Sequence, residues 1–363
     1  MNTPLARAGA QLLVERDAAG PESVARRLLA VQGQAFGPAR WALGARSVST
    51  TLSDVDALFD EGTLVRTWTM RGTLHIVCAD DVRLMLTATA DKQRHLAQQV
   101  MRRDGMDAEV VSTAFRALET AMSQQGPLER KQAMDAMSSA GLNTDGGRGY
   151  HLIREAALAG IVVWGPVRRT QQALVPAGEW LPPAEPIGRD EAITRILTRY
   201  LQCRSPATLR DFAWWLGITL TEARRAHADA GDAVVQSDAG PEFLESAATV
   251  GTPVPSRTTA LLPAYDEYIL GYRDRSPVLE DRHWGLVQAG ANGIFQPVIV
   301  LDGRVAGTWR ADASPAGIRV DLAPFVALSS RATSRIEREA ARYANYLGTS
   351  LLGVSIHGEP HSA

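Results

Sequence analysis

Tyr150-His151-Leu152-Ile153-Arg154-Glu155-Ala156-Ala157-Leu158-Ala159-Gly160-Ile161-Val162-Val163-Trp164-Gly165, with Arg168-Arg169 just beyond, changes its apolar period at one residue. Up to Leu158 the apolar positions Leu152, Ile153, Ala156 and Leu158 keep helical spacing, Gly160 supplies a C-terminal stop, and Ile161 to Trp164 turns to strand. A helix running directly into a hairpin with a basic flank is how a winged-helix unit ends. In such a unit the last helix enters a DNA groove and the wing touches the backbone.

Outward from that stretch the same order recurs on both sides. Upstream, Pro21 starts a helix with Val24, Leu28 and Val31 on one face, Ser53 is expected to cap Val55 to Phe59, and Leu64 to Thr69 alternates into Arg71 to Val77 as a hairpin. The middle copy gains helices from Ala108 and from Leu128 to Ala140. Downstream, Asp190 opens a helix carrying Ile193, Ile196, Leu197, Tyr200 and Leu201. Leu209 to Leu216 follows, Thr219 or Thr221 caps Glu222 to Ala230, and Ala233-Val234-Val235 begins a wing. After Pro253 and Pro255 the pattern becomes strands, with Asp302-Gly303 joining two alternating runs as a type I′ turn. A helix from about Ser334 to Leu347 closes the chain. The expected fold is α+β and mainly helical: three tandem winged-helix units (1–105, 106–185 and 186–252), then a β-barrel-like C-terminal domain (253–363).

At 363 residues several compact units are expected. No stretch reaches about twenty uninterrupted apolar residues and the N-terminus lacks a signal-peptide pattern, so a soluble, cytoplasmic protein with no membrane partner is expected. The two cysteines, Cys78 and Cys203, lack a CxxC partner, and the seven histidines are scattered, the closest pair being His357 and His361 in a polar tail. Neither metal nor other cofactor is expected. A net charge of −2 shows no overall basic surplus, yet the basic residues include only two lysines, Lys92 and Lys131, and the arginines recur in pairs. Guanidinium forks suit phosphate oxygens. Walker, GxGxxG, HExxH and GxSxG signatures are all absent, and Asp145-Gly146-Gly147-Arg148-Gly149 reads as a turn.

One constellation remains: Gln32-Gly33-Gln34 after an apolar helix, Arg71-Gly72-Thr73-Leu74-His75 on the first hairpin, and Leu262-Pro263-Ala264-Tyr265-Asp266 ahead of Gly271-Tyr272-Arg273-Asp274-Arg275. Taken together and in this order, from about residue 5 to 350, these segments resemble the AlkZ-like family of bacterial DNA glycosylases. The resemblance implies three winged-helix units and a C-terminal β-barrel around DNA, removal of N7-alkylated purines, and in some members excision of bulky adducts or unhooking of interstrand crosslinks. It places the two catalytic glutamines on Gln32 and Gln34. The family's intervening residue typically carries a side chain; Gly33 here is expected to loosen the backbone between two amides that must be aimed.

Carboxamides suffice if the leaving base is already cationic, because what remains is to orient a water and face a developing oxocarbenium ion. Gln32 and Gln34 are expected to orient that water jointly. Arg71, Thr73 and His75 are expected as substrate contacts, Asp266 as a tether for an arginine or backbone groups, and Arg168, Arg169 and Arg304 as DNA contacts. The expected partner is double-stranded DNA carrying N7-alkylpurine lesions, met by a monomer. Two other functions fit the same units: a non-enzymatic winged-helix DNA-binding regulator, and a lesion-binding protein without catalysis.

Overall fold

The computed structural model describes residues 2–289 and 293–357; His361 lies outside the described residues. Helices Thr3–Ala10, Pro21–Leu28, Phe36–Gly44 and Leu52–Asp60 surround β1 (Val31–Gln32) and precede the hairpin β2 (Leu64–Trp68) and β3 (Leu74–Cys78). The fourth of these helices is capped by Thr51, not Ser53. The Thr51 hydroxyl accepts from Asp54 N while the Asp54 carboxylate accepts from Thr51 N, a reciprocal pair that Ser53, already inside the helix, cannot form.

A 22-residue helix, Val82–Arg103, leads into the middle segment. There Ala108–Gln125, Arg130–Ser139 and Arg148–Leu158 are followed by β4 (Val162–Arg168) and β5 (Gln171–Pro176). Gly160, at φ +73°, ends the third helix in the left-handed conformation that glycine tolerates. Next come Arg189–Arg204, β6 (Ala207–Thr208), Leu209–Leu216, Leu220–Ala230, β7 (Val234–Gln236) and β8 (Phe243–Ser246). Thr208 with Asp211 and Thr219 with Glu222 cap the last two helices reciprocally. The first two hairpins fuse into one five-stranded sheet, β1-β3-β2-β4-β5, across a single register pair between Arg66 and Trp164. The third forms its own three-stranded sheet.

The C-terminal part comprises β9 (Thr259–Leu262), the ribbon β10 (Gln288–Ala289) and β11 (Ile294–Phe295), β12 (Val298–Leu301), β13 (Arg304–Ser314), β14 (Gly317–Pro324), the helix Ser330–Tyr346 and β15 (Leu351–Ile356). Asp302 and Gly303 turn between β12 and β13 with φ of +48° and +81°, as a type I′ turn requires. No closed barrel forms among the described residues. The sheet is open, β15-β14-β13-β12-β9, and its edge strands do not pair. The terminal helix and the N-terminal helices cover one face instead, so the core is completed by layering. Trp41 packs on Tyr343 and Tyr346 and donates to the Leu261 carbonyl at 2.7 Å, so residues 3–60 share a core with this sheet. The chain is about half helical, less than expected. No helix among the described residues is long and apolar enough to cross a membrane.

Candidate nucleic-acid active site

The Gln32-Gly33-Gln34 segment lies along the edge of the fused sheet. Leu29, at φ +66°, turns the chain out of the preceding helix, and β1 then pairs antiparallel with β3, setting Gln32 opposite His75, which is in turn opposite Thr67 on β2. Four backbone groups of the segment are held by named partners. Gln32 N donates to the Glu267 carboxylate at 3.2 Å, and Gly33 N donates to the Leu74 carbonyl at 2.7 Å. The Gly33 carbonyl accepts from Arg66 Nη1 at 3.3 Å, and Gln34 N donates to Gln32 Oε1 at 3.2 Å. Gln34 Oε1 accepts from Leu74 N at 3.3 Å. Gly33 therefore does not loosen the backbone as expected. A Cβ there would stand 3.2 Å from Ile76 N and 3.3 Å from Arg66 Cδ, so the missing side chain is replaced by the arginine stem lying over it.

Strand alternation gives the sheet two functional faces. Gln32, Thr67 and His75 share the buried face, whereas Arg66, Trp68, Leu74 and Trp164 line a cleft of about 310 Å³ that also takes in Gln34, Arg130 and Tyr150. Gln34 is exposed at this cleft; Gln32 is buried behind it. No aspartate or glutamate lines the cleft among the described residues. Arg66 lies between the rings of Phe36 (4.9 Å) and Trp164 (5.8 Å), and Arg130 stands 5.8 Å from the Tyr150 ring centroid. Among the described residues Arg66 has no carboxylate within ion-pair distance, and burial pushes its pKa down to about 10. Its Nε and the indole N–H groups of Trp68 and Trp164 are buried without acceptors.

The remaining expected residues lie elsewhere. His75 is fully buried. Its Nδ1 donates to the Thr73 carbonyl at 3.1 Å and meets Thr69 Oγ1 at 3.0 Å, leaving Nε2 an unpartnered acceptor. Burial, reinforced by Arg71, pushes its pKa down to about 3, so the ring is neutral at working pH. Arg71, at φ +56°, sends its guanidinium over the Trp214 ring at 4.6 Å and donates to the Leu270 carbonyl at 3.4 Å, bridging the first and third segments. Thr73 has a buried, unpartnered hydroxyl. Neither Arg71, Thr73 nor His75 lines the cleft; the alternating pleat presents Leu74 there instead. Asp266 forms a two-pronged, fully buried pair with Arg46 at 2.7 and 2.9 Å. Arg168 and Arg169 are exposed at the tip of the β4–β5 hairpin, next to the cleft residues Thr170 and Gln171. Arg304 is exposed on β13, away from the cleft lining.

Residues not foreseen from the sequence include Arg66 and Arg130, the aromatic cleft walls Phe36, Trp68, Tyr150 and Trp164, and Glu267. Arg66 left one signal, an arginine inside the apolar run Leu64-Val65-Arg66-Thr67-Trp68. The lysines do not enter the cleft: Lys92 Nζ donates to the Gly217 carbonyl at 2.7 Å and exposed Lys131 pairs with Asp135. Cys78 and Cys203 are buried free thiols, and burial drives the former's pKa up to about 12. Among the described residues no group of three His, Cys, Asp or Glu is placed to hold a metal.

The fold matches a known class of DNA-processing protein. The solved structure of the Streptomyces sahachiroi DNA glycosylase AlkZ superposes with a TM-score of 0.82 at 24% identity, over 98% of each chain. An interstrand DNA cross-link repair glycosylase of Streptomyces sahachiroi is 26% identical over 95% of this chain and 96% of its own length. The family model for AlkZ-like DNA glycosylases matches residues 25–346, and the chain belongs to that family.

Proposed function

We propose that this protein hydrolyses the N-glycosidic bond of N7-alkylated purines in double-stranded DNA, leaving an abasic site. The observation that carries this is Gln34, exposed at an acid-free cleft while its backbone is fixed by Gln32 behind it. A carboxamide is a poor general base. An N7-alkylated purine does not demand one, because its cationic ring accepts the bonding electron pair as it leaves.

In this scheme Gln34 orients the attacking water and faces its dipole toward the positive charge growing on the sugar. Gln32 is a positioning residue whose side-chain oxygen accepts from the Gln34 backbone N–H, so the pair divides the work expected of two equivalent glutamines. The segments 108–176 and 189–246, each three helices followed by a hairpin, serve as winged helices on DNA. The crosslink activity in the relative's name extends the candidate substrates to interstrand crosslinks.

The test is incubation of the protein with duplex DNA containing N7-methylguanine and with a defined crosslinked duplex, scoring alkali-labile abasic sites. Gln34→Ala should slow single-turnover release by a factor on the order of 10²–10⁴, and Gln32→Ala should slow it less. Full release by the double variant overturns the scheme. Tight lesion binding without release by the native protein would mark it as a lesion-binding protein instead.

A further inference from the structure

We infer that the cleft beside Gln34 is a binding site for the excised purine, selective for a neutral, acceptor-rich planar heterocycle over its cationic form. The inference rests on the glycosylase reading for its substrate, but the site itself is built from independent observations. The walls are aromatic: Phe36, Trp68, Tyr150 and Trp164 surround about 310 Å³, enough for one heterocycle at the small end of ligand sites. Aromatic walls ordinarily attract cations. Here the protein's own cations already occupy them, Arg66 between Phe36 and Trp164 and Arg130 near Tyr150. The unpartnered indole N–H groups of Trp68 and Trp164 add positive potential, and no carboxylate in the lining offsets it.

Such a site repels the alkylated base while it is still bonded and accommodates it once the bond has broken. When the N9–C1′ bond cleaves, its electron pair stays on N9 and cancels the ring's positive charge. Water oxygen then bonds to C1′, and the second water proton passes to solvent. The base thus becomes neutral in the same step that the sugar becomes cationic, and a cleft that prefers the neutral form favours bond breaking over the ground state. A purine carrying only a monoadduct must leave the stack to enter, which puts that base outside the duplex during the reaction.

Titration of the intact protein with free 7-methylguanine, followed by tryptophan fluorescence, tests the site directly. The expected result is saturable quenching, competitive inhibition of base release, and at least about tenfold weaker binding of the similarly sized 7,9-dimethylguaninium cation, the scale that like charges a few ångströms apart impose. Trp164→Phe, which keeps the wall and removes one N–H, should weaken 7-methylguanine binding, and Arg66→Met should bring the two affinities together. Equal or tighter binding of the cation, or no binding of the free base by a protein that still generates abasic sites, overturns the inference alone. Neutral-selective binding by a protein that releases no base upholds the site and overturns the glycosylase reading.

Discussion

The buried carboxylate of Glu267 accepts the backbone N–H of Gln32 at 3.2 Å, across 235 residues of sequence. The same carboxylate accepts from Arg204 Nη2 at 2.8 Å and from Trp215 Nε1 at 2.9 Å, and all three partners are buried. One side chain therefore ties the glutamine segment to the third helical segment and to the start of the C-terminal part.

Removing that carboxylate leaves the buried Arg204 guanidinium without its counter-charge. Glu267→Ala is expected to cost roughly 3–5 kcal/mol in chemical denaturation, the scale for breaking a buried pair. Glu267→Gln should cost less if its amide oxygen still serves Gln32 N. Wild-type stability in either variant would show that Glu267 is not the tie.

Gly33 and Arg66 form a second coupled pair, since the arginine stem fills the space a side chain at 33 would need. Gly33→Ala should destabilise by about 1–3 kcal/mol through overpacking. Part of that cost should vanish in an Arg66→Ala background, where the arginine stem no longer crowds the new Cβ although Ile76 N still does. Denaturation of the two single variants and the double variant measures the coupling. Strict additivity would mean that the two residues act independently.

Local structure is legible in the sequence. Gly160 stopping a helix and Asp302-Gly303 turning a hairpin are properties of a few adjacent residues, and both turned out as read. Contacts between distant segments are not legible in that way. Arg66 becomes a cleft wall only because β2 pairs with β4 at Trp164, nearly a hundred residues away. Asp266 tethers an arginine, Arg46, as expected of it, but that its neighbour Glu267 reaches Gln32 is a division no local pattern encodes. The open C-terminal sheet depends on the N-terminal helices covering it, so its strands alone gave no sign that a barrel would not close. His75 and Thr73 looked like site residues because they are polar on an apolar strand, but the register turns His75 to the buried face.

The burial of His75 carries a stability signature. Its pKa is about 3 folded against 6.5 for the free side chain, so between those values the unfolded chain holds a proton that the folded one does not. Stability should therefore fall as pH drops below about 6.5, with a slope approaching about 1.4 kcal/mol per pH unit from this one group until about pH 3. Denaturation midpoints measured across that range should show a shallower dependence in His75→Asn, even if that variant is less stable at neutral pH. An unchanged slope would mean that His75 titrates normally.

Arg168 and Arg169 stand at the tip of the hairpin whose turn continues into cleft residues Thr170 and Gln171, so a duplex presenting a base to Gln34 brings its backbone near them. Arg168 Nη1 donates to the Val167 carbonyl at 3.0 Å, and its ionic partner Asp60 is loose at 3.8 Å with both side chains about half exposed, so phosphate can replace that ion pair at little cost. Each replacement by alanine should weaken binding to lesion-bearing and undamaged duplexes alike and reduce the slope of log affinity against log salt by about one. The single-turnover rate at saturating protein should stay within severalfold, because neither side chain reaches the cleft lining. A loss confined to lesion-bearing DNA would instead make the hairpin tip a lesion reader, and an unchanged salt slope would remove it from the DNA path.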